Sequence, residues 1–139
     1  MPGMEAASRF ADLRRAEART PKLLYAVDAR LTPSSAVADI SRLSSLAAAA
    51  VAAGRGHVLE TSDVIFPNGA ITLVLILAES HLSIHTWPEE NLIAIDLFSC
   101  GAIDGEAVIS ELTRSLRLDS VSVRRLPRGP KPDDASRPE

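Results

Sequence analysis

The residues best suited to chemistry crowd into one stretch, Glu79-Ser80-His81-Leu82-Ser83-Ile84-His85-Thr86-Trp87-Pro88-Glu89, and the only thiol of the chain, Cys100, lies close behind it. Two histidines, two serines and a glutamate directly follow Ile71–Ala78 (ITLVLILA), the most apolar strand-like run. If Pro88–Asn91 is a four-residue turn between two strands, Trp87 pairs with Leu92, His85 with Ala94, Ser83 with Asp96, His81 with Phe98 and Glu79 with Cys100. Opposed side chains share a face at about 5 Å between Cβ atoms. The thiol then sits beside the Glu79-Ser80 bond, and a one-residue slip of register would remove it from there.

On spacing alone, three readings stay open. His81, Ser83 and His85 share a strand face and could begin a metal site, but a third strong ligand is missing. Cys100 facing a histidine could serve a hydrolase, yet no oxyanion-hole motif accompanies it. The third reading is a polar sheet face with hydrogen-bonded histidines.

These residues must be positioned by the elements around them. Residues 4–18 have one apolar face and predict a short N-terminal helix, closed by Thr20-Pro21. Lys22–Leu31 reads as a buried strand. Thr32-Pro33-Ser34-Ser35 supplies helix-start chemistry for Ala36–Ala53, and Gly54 and Gly56 stop that helix. Strands are expected at His57–Phe66, Ile71–Ala78, His81–Trp87 and Leu92–Cys100. Ile71–Ala78 should be covered on both faces or lie at a subunit contact. A helix from Asp104 to about Arg117 precedes a last strand, Ser120–Leu126. The order predicts an α+β two-layer sandwich, one antiparallel sheet with two helices on one face, plus the short N-terminal helix. Residues 1–21 form an extension, 22–126 the domain, and 127–139 a proline-rich tail expected to be disordered.

The chain has 139 residues, enough for one compact domain. A net charge of -3 without a basic block argues against nucleic acid as a partner. The longest apolar runs are too short to cross a membrane as helices, and no signal-peptide core is visible. One cysteine allows no internal disulfide, so a reducing cytoplasm is expected. Only 4% of residues are aromatic, leaving few rings for a flat ligand.

Ala78–Glu89 together with Ala94-Ile95-Asp96-Leu97-Phe98-Ser99-Cys100-Gly101 closely resembles the short bacterial and archaeal S-adenosylmethionine decarboxylases. Weaker agreement runs from Phe66 to Leu126, and the predicted element order suits that family's sandwich. The resemblance implies a pyruvoyl cofactor made from the chain itself, with no metal and no pyridoxal phosphate. Ser80 would attack the Glu79 carbonyl, the resulting ester would eliminate to dehydroalanine, and hydrolysis would leave pyruvoyl at position 80. The β chain would end at Glu79 and the α chain begin at residue 80. The pyruvoyl carbonyl would bind the substrate amine as a Schiff base and act as electron sink for decarboxylation.

The resemblance further implies that His85 assists processing and that Cys100 protonates the carbanion. Thr72 stands where the family has a processing serine. Phe66, Glu89 and Glu90 fall on the substrate side, Glu89 toward a ribose. A homodimer with sites at its interface is implied too. A straight strand of about 3.3 Å per residue keeps Ser80 and His85 roughly 16 Å apart, so the chain must bend or the site be shared.

Some positions depart from the family pattern. Lys22-Leu23-Leu24-Tyr25 replaces a Gly-x-His start, Val64 replaces a histidine, Leu73 a glycine, and Glu90 and Leu92 stand at frequent tyrosines. The leading expectation is decarboxylation of S-adenosylmethionine to the aminopropyl donor for spermidine. Arginine or ornithine decarboxylation, to which Glu90 would be suited, is the first alternative. A non-catalytic regulatory paralogue is the second.

Overall fold

The computed structural model describes residues 21–35 and 37–130. The helix expected over residues 4–18 and the tail beyond Pro130 lie outside them. Six strands form one sheet: β1 (Lys22–Arg30), β2 (Val58–Ile65), β3 (Ile71–Leu77), β4 (His81–Trp87), β5 (Leu92–Cys100) and β6 (Asp119–Arg128). Their spatial order is β2-β3-β4-β5-β1-β6, and every neighbouring pair is antiparallel. Two helices, α1 (Ile40–Ala53) and α2 (Gly105–Ser115), pack on each other and share one core with one face of the sheet. This is the expected α+β sandwich.

Period-two alternation decides which face is covered. Ile71, Leu73, Leu75 and Leu77 of β3 are buried beneath the helices, as are Leu82 and Ile84 of β4 and Ile93, Ile95 and Leu97 of β5. Leu43, Ala47, Ala50 and Val51 meet them from α1, and Val108, Ile109 and Leu112 from α2. The opposite face carries Thr72, Val74 and Ile76 of β3, and Ile76 is 44% exposed. Of the two settings expected for this strand, cover on both faces is therefore absent among the described residues.

Most boundaries shift by a residue or two, and two of the differences have a visible cause. Helix α1 begins at Ile40, because Asp39 is its cap: the carboxylate accepts from the N–H groups of Ser41 and Arg42 at 3.0 and 3.2 Å. Thr32 and Ser35, expected to start it, instead donate their hydroxyls to the Arg117 carbonyl at 3.1 and 3.2 Å. Strand β6 runs to Arg128, past the expected end at Leu126, because Leu23 and Lys22 of β1 pair with Pro127 and Arg128. Among the described residues no helix is long and apolar enough to cross a membrane.

The start of α2 is sterically constrained. A Cβ at Gly105 would collide with the Tyr25 ring, lying 2.6 Å from Cζ and 2.8 Å from the phenol oxygen. That ring is 6% exposed, and the Arg125 guanidinium lies over it, 5.9 Å from its centroid. Arg125 also forks onto Glu106, with Nε 2.8 Å and Nη2 2.6 Å from the carboxylate oxygens. Those hydrogen bonds hold the Glu106 carboxyl below its ordinary range. Gly105→Ala is expected to lower stability by about 1–3 kcal/mol, since overpacking against a fixed ring outweighs alanine's better helix propensity of about 1 kcal/mol. Denaturant unfolding at constant m-value measures it.

Candidate active site

Strand β3 ends at Leu77 and β4 begins at His81, so Ala78, Glu79 and Ser80 form the bend between them. The Leu77 N–H donates to the Ser80 carbonyl at 2.9 Å and closes the turn. Ser80 has a φ of 157°, out of line with the strand that follows. Glu79 is 1% exposed, and a carboxylate so buried needs donors. His57, just before β2, provides them: its main-chain N–H lies 2.9 Å from Oε1, and its ring Nδ1 2.7 Å from Oε2. The Ala78 N–H donates back to the His57 carbonyl at 2.9 Å.

Cys100, at the end of β5, is buried and directs its thiol at this turn. Sγ donates to the Glu79 main-chain carbonyl at 3.2 Å. The β4–β5 register runs from Trp87↔Leu92 to His81↔Phe98, as the turn-based pairing predicts. Glu79 lies past the last ladder pair, so the thiol reaches its carbonyl rather than facing its side chain.

A second cluster lies toward the other end of β3 and β4. Thr72 pairs with His85, and Thr72 Oγ1 is 3.1 Å from His85 Nδ1. Phe66, Ile71, Thr72, His85 and Trp87 line a cleft of about 530 Å³, a size suited to a small ligand. Its rim is the Pro67-Asn68-Gly69 turn, where Gly69 takes φ 88° and the Phe66 N–H bonds the Ala70 carbonyl at 2.8 Å. Phe66 is 46% exposed there. Asn68 Nδ2 donates to Glu89 Oε2 at 3.4 Å, which brings that carboxylate to the edge of the cleft. Glu90 does not line it; its main-chain carbonyl accepts from Arg30 at 2.9 Å.

The structure thus gathers Glu79, Ser80 and Cys100 at one end, and Thr72, His85, Phe66 and Glu89 at the other. Strand β4 is regular from His81 to Trp87, so about 16 Å of strand separates Ser80 from His85 within one protomer. Among the described residues no group of three or more His, Cys, Asp or Glu side chains is placed to hold a metal ion, and His81, Ser83 and His85 follow one strand face.

One residue at the bend was not foreseen as functional: His57. The hairpin arithmetic does contain it, because the register Ile65↔Ile71 continued down the strands sets position 57 opposite position 79. A bulge between Val58 and Glu60 shifts that pairing by one, and His57 then meets Ala78 with its backbone and Glu79 with its ring.

Comparison with known proteins decides the family. The sequence model of S-adenosylmethionine decarboxylase matches residues 24–129. This chain belongs to the S-adenosylmethionine decarboxylase family. Among relatives in this family, the S-adenosylmethionine decarboxylase proenzyme of Thermoplasma volcanium is 37% identical over 107 residues, 76% of this chain and 78% of that one. Proenzyme 2 of Bacillus anthracis is 40% identical over 74 residues, 52% of this chain, and the match spans only 60% of the relative's length. The crystal structure of the adenosylmethionine decarboxylase from Aquifex aeolicus superposes with a TM-score of 0.68 at 26% identity, covering 82% of this chain and 95% of that one. The named relatives are all S-adenosylmethionine decarboxylases, which gives the arginine, ornithine and regulatory alternatives no support.

Proposed function

We propose that this chain is a pyruvoyl-dependent S-adenosylmethionine decarboxylase, a carboxy-lyase that makes its prosthetic group from Ser80. The observation that carries the proposal is the Cys100 thiol on the Glu79 carbonyl, the bond at which the family motif would be cut. The relatives' names, which call them proenzymes, support a processed chain. Residues 22–126, with the last two residues of β6, would form the catalytic domain, divided into a β chain ending at Glu79 and an α chain starting at residue 80.

In the first step the Ser80 oxygen bonds to the Glu79 carbonyl carbon, the peptide C–N bond breaks, and the nitrogen takes up a proton. A hydrogen bond from Sγ polarises that carbonyl and stabilises the oxyanion that forms on it. Loss of the Ser80 Cα proton then expels the Glu79 carboxylate from Cβ, and water replaces the nitrogen as ammonia. Serine is required because its oxygen is first nucleophile and then leaving group. The turn fits such a group: the bond to be cut lies outside both strand ladders, with a buried thiol already on its carbonyl.

When formed, the pyruvoyl group supplies a carbonyl that captures the substrate amine and withdraws the electrons left by CO2. Cys100 Sγ returns a proton to the carbon that has lost CO2. His85, hydrogen-bonded to Thr72, is the base for the Cα proton in processing. Phe66 offers a half-exposed ring for the adenine or the sulfonium, and Glu89 a carboxylate for ribose hydroxyls.

The two clusters would be joined in a homodimer. The sheet face that the described residues leave uncovered carries Val74, Ile76 and Phe98, an apolar surface for a second sheet. A two-fold axis crossing the strands would set the Ser80 end of one protomer over the His85 end of its partner. The enzyme would act in the cytoplasm, in polyamine synthesis, with neither nucleic acid nor membrane as partner.

Intact mass and parallel CO2-release assays test the assignment. Chains of 79 and 60 residues are expected, with release from S-adenosylmethionine and none from arginine or ornithine. Release from either amino acid, without release from S-adenosylmethionine, would overturn it.

A further inference from the structure

We infer that His57 is a positioning residue for self-cleavage: by holding the Glu79 carboxylate, it sets the direction of the Glu79 carbonyl that Ser80 attacks. This rests on the pyruvoyl reading and adds to it a residue outside the motif that suggested it.

Glu79 is the acyl donor of the cleavage, and both of its ends are held. Its main-chain carbonyl takes the Cys100 thiol at 3.2 Å, from the end of β5. Its side chain meets the main-chain N–H and the ring of His57, at 2.9 and 2.7 Å, from the residue just before β2. Whichever of the two atoms carries the proton, the 2.7 Å contact between Nδ1 and Oε2 ties the ring to the carboxyl group. With both ends held from different strands, the peptide plane between residues 79 and 80 has one preferred orientation.

His57 is itself firmly placed. It follows a turn in which Arg55 takes φ 64°, the Gly56 N–H bonds the Val51 carbonyl at 2.9 Å, and the Asp104 N–H bonds the Gly54 carbonyl at 2.8 Å. A Cβ at Gly56 would lie 2.7 Å from both Ile103 and Val51, so the backbone runs against the core at this point. The ring, by contrast, is 47% exposed. Removing it opens no cavity in the core; it removes the clamp.

The step affected is the first one. The Oγ–C bond forms, the Oγ proton passes to the peptide nitrogen, and the C–N bond breaks, leaving an ester and a free amine without any added reactant. Its rate depends on the angle at which Oγ meets the carbonyl, and a misplacement of about 1 Å can cost about 100-fold. The contacts described for His57 are to the Glu79 side chain and the Ala78 N–H, not to the bond that is cut, and His57 is a positioning residue. It acts through Glu79.

The test follows full-length chains from the moment of cell-free synthesis, by intact mass, with and without hydroxylamine, which cuts the ester but not the peptide. The chains are wild type, His57→Ala and His57→Asn; asparagine can offer an amide N–H near the place of Nδ1. His57→Ala is expected to form ester about 10–100-fold more slowly. Hydroxylamine should not raise its yield of cut chain, and His57→Asn should recover most of the rate. Three results would each overturn the inference. One is cleavage of His57→Ala at the wild-type rate. Another is an accumulated, hydroxylamine-sensitive ester, which would place the defect in elimination. The third is a His57→Asn chain as slow as His57→Ala, with both melting below the assay temperature, which would make His57 a support of the fold alone. An uncut wild-type chain would instead refute the pyruvoyl reading itself, and the inference with it.

Discussion

A Ser80→Ala chain is expected to remain a single uncut chain and to release no CO2 from S-adenosylmethionine. The loss should be complete rather than graded. Ser80 has to supply the attacking oxygen, the leaving oxygen and the carbon skeleton of the prosthetic group, so its hydroxyl has no partial substitute. The fold should survive. Alanine keeps Cβ and the main chain, and the contacts that define the turn belong to Leu77, Ala78, Glu79 and their partners rather than to the Ser80 hydroxyl. Stability is expected to change by less than about 1 kcal/mol. Mass spectrometry of the purified chain, a melting curve and a CO2-release assay check the three parts. An uncut, well-folded chain that still released CO2 would show that residue 80 does not supply the electron sink.

Much of this was legible because burial writes a period into a strand. The alternation of Leu82, Ile84 and Thr86 with Ser83 and His85 fixes which face of β4 meets the helices, and the Pro88–Asn91 turn then fixes its register against β5. From that register alone Cys100 comes beside the Glu79-Ser80 bond. The limits of α1 were harder to read. Asp39 and Ser35 are both good caps, and the choice was made by a distant carbonyl, that of Arg117, which engages the Thr32 and Ser35 hydroxyls. His57 was missed for a related reason. Its partner is 22 residues away, and a bulge decides which of its atoms face Glu79. A motif scan sees residues that follow one another, whereas this contact exists only once β2 has paired with β3. The separation of Ser80 from His85 was legible as a distance, and its resolution belongs to how two chains meet.

That meeting can be tested without a structure of the dimer. If each site joins Ser80 and Cys100 of one protomer with Thr72 and His85 of its partner, then Ser80→Ala and His85→Ala chains should each be inactive alone and complement each other when co-expressed. In a mixed dimer one site pairs the intact Ser80 of the His85→Ala chain with the intact His85 of the Ser80→Ala chain. The other site carries both lesions and is dead. Random assembly makes half the dimers mixed, each with one working site of two, so about a quarter of the wild-type activity should return. The cut should fall only in the His85→Ala chain, since the other has no serine to cut, and mass spectrometry distinguishes the two. The regular course of β4 makes the opposite result equally informative. If Ser80 and His85 of one chain served the same site, every pairing would lack one of them and co-expression would restore nothing. A Ser80→Ala chain mixed with His85→Ala that stayed inactive would therefore assign His85 to a site within its own protomer, and β4 would have to bend by several residues to reach Ser80.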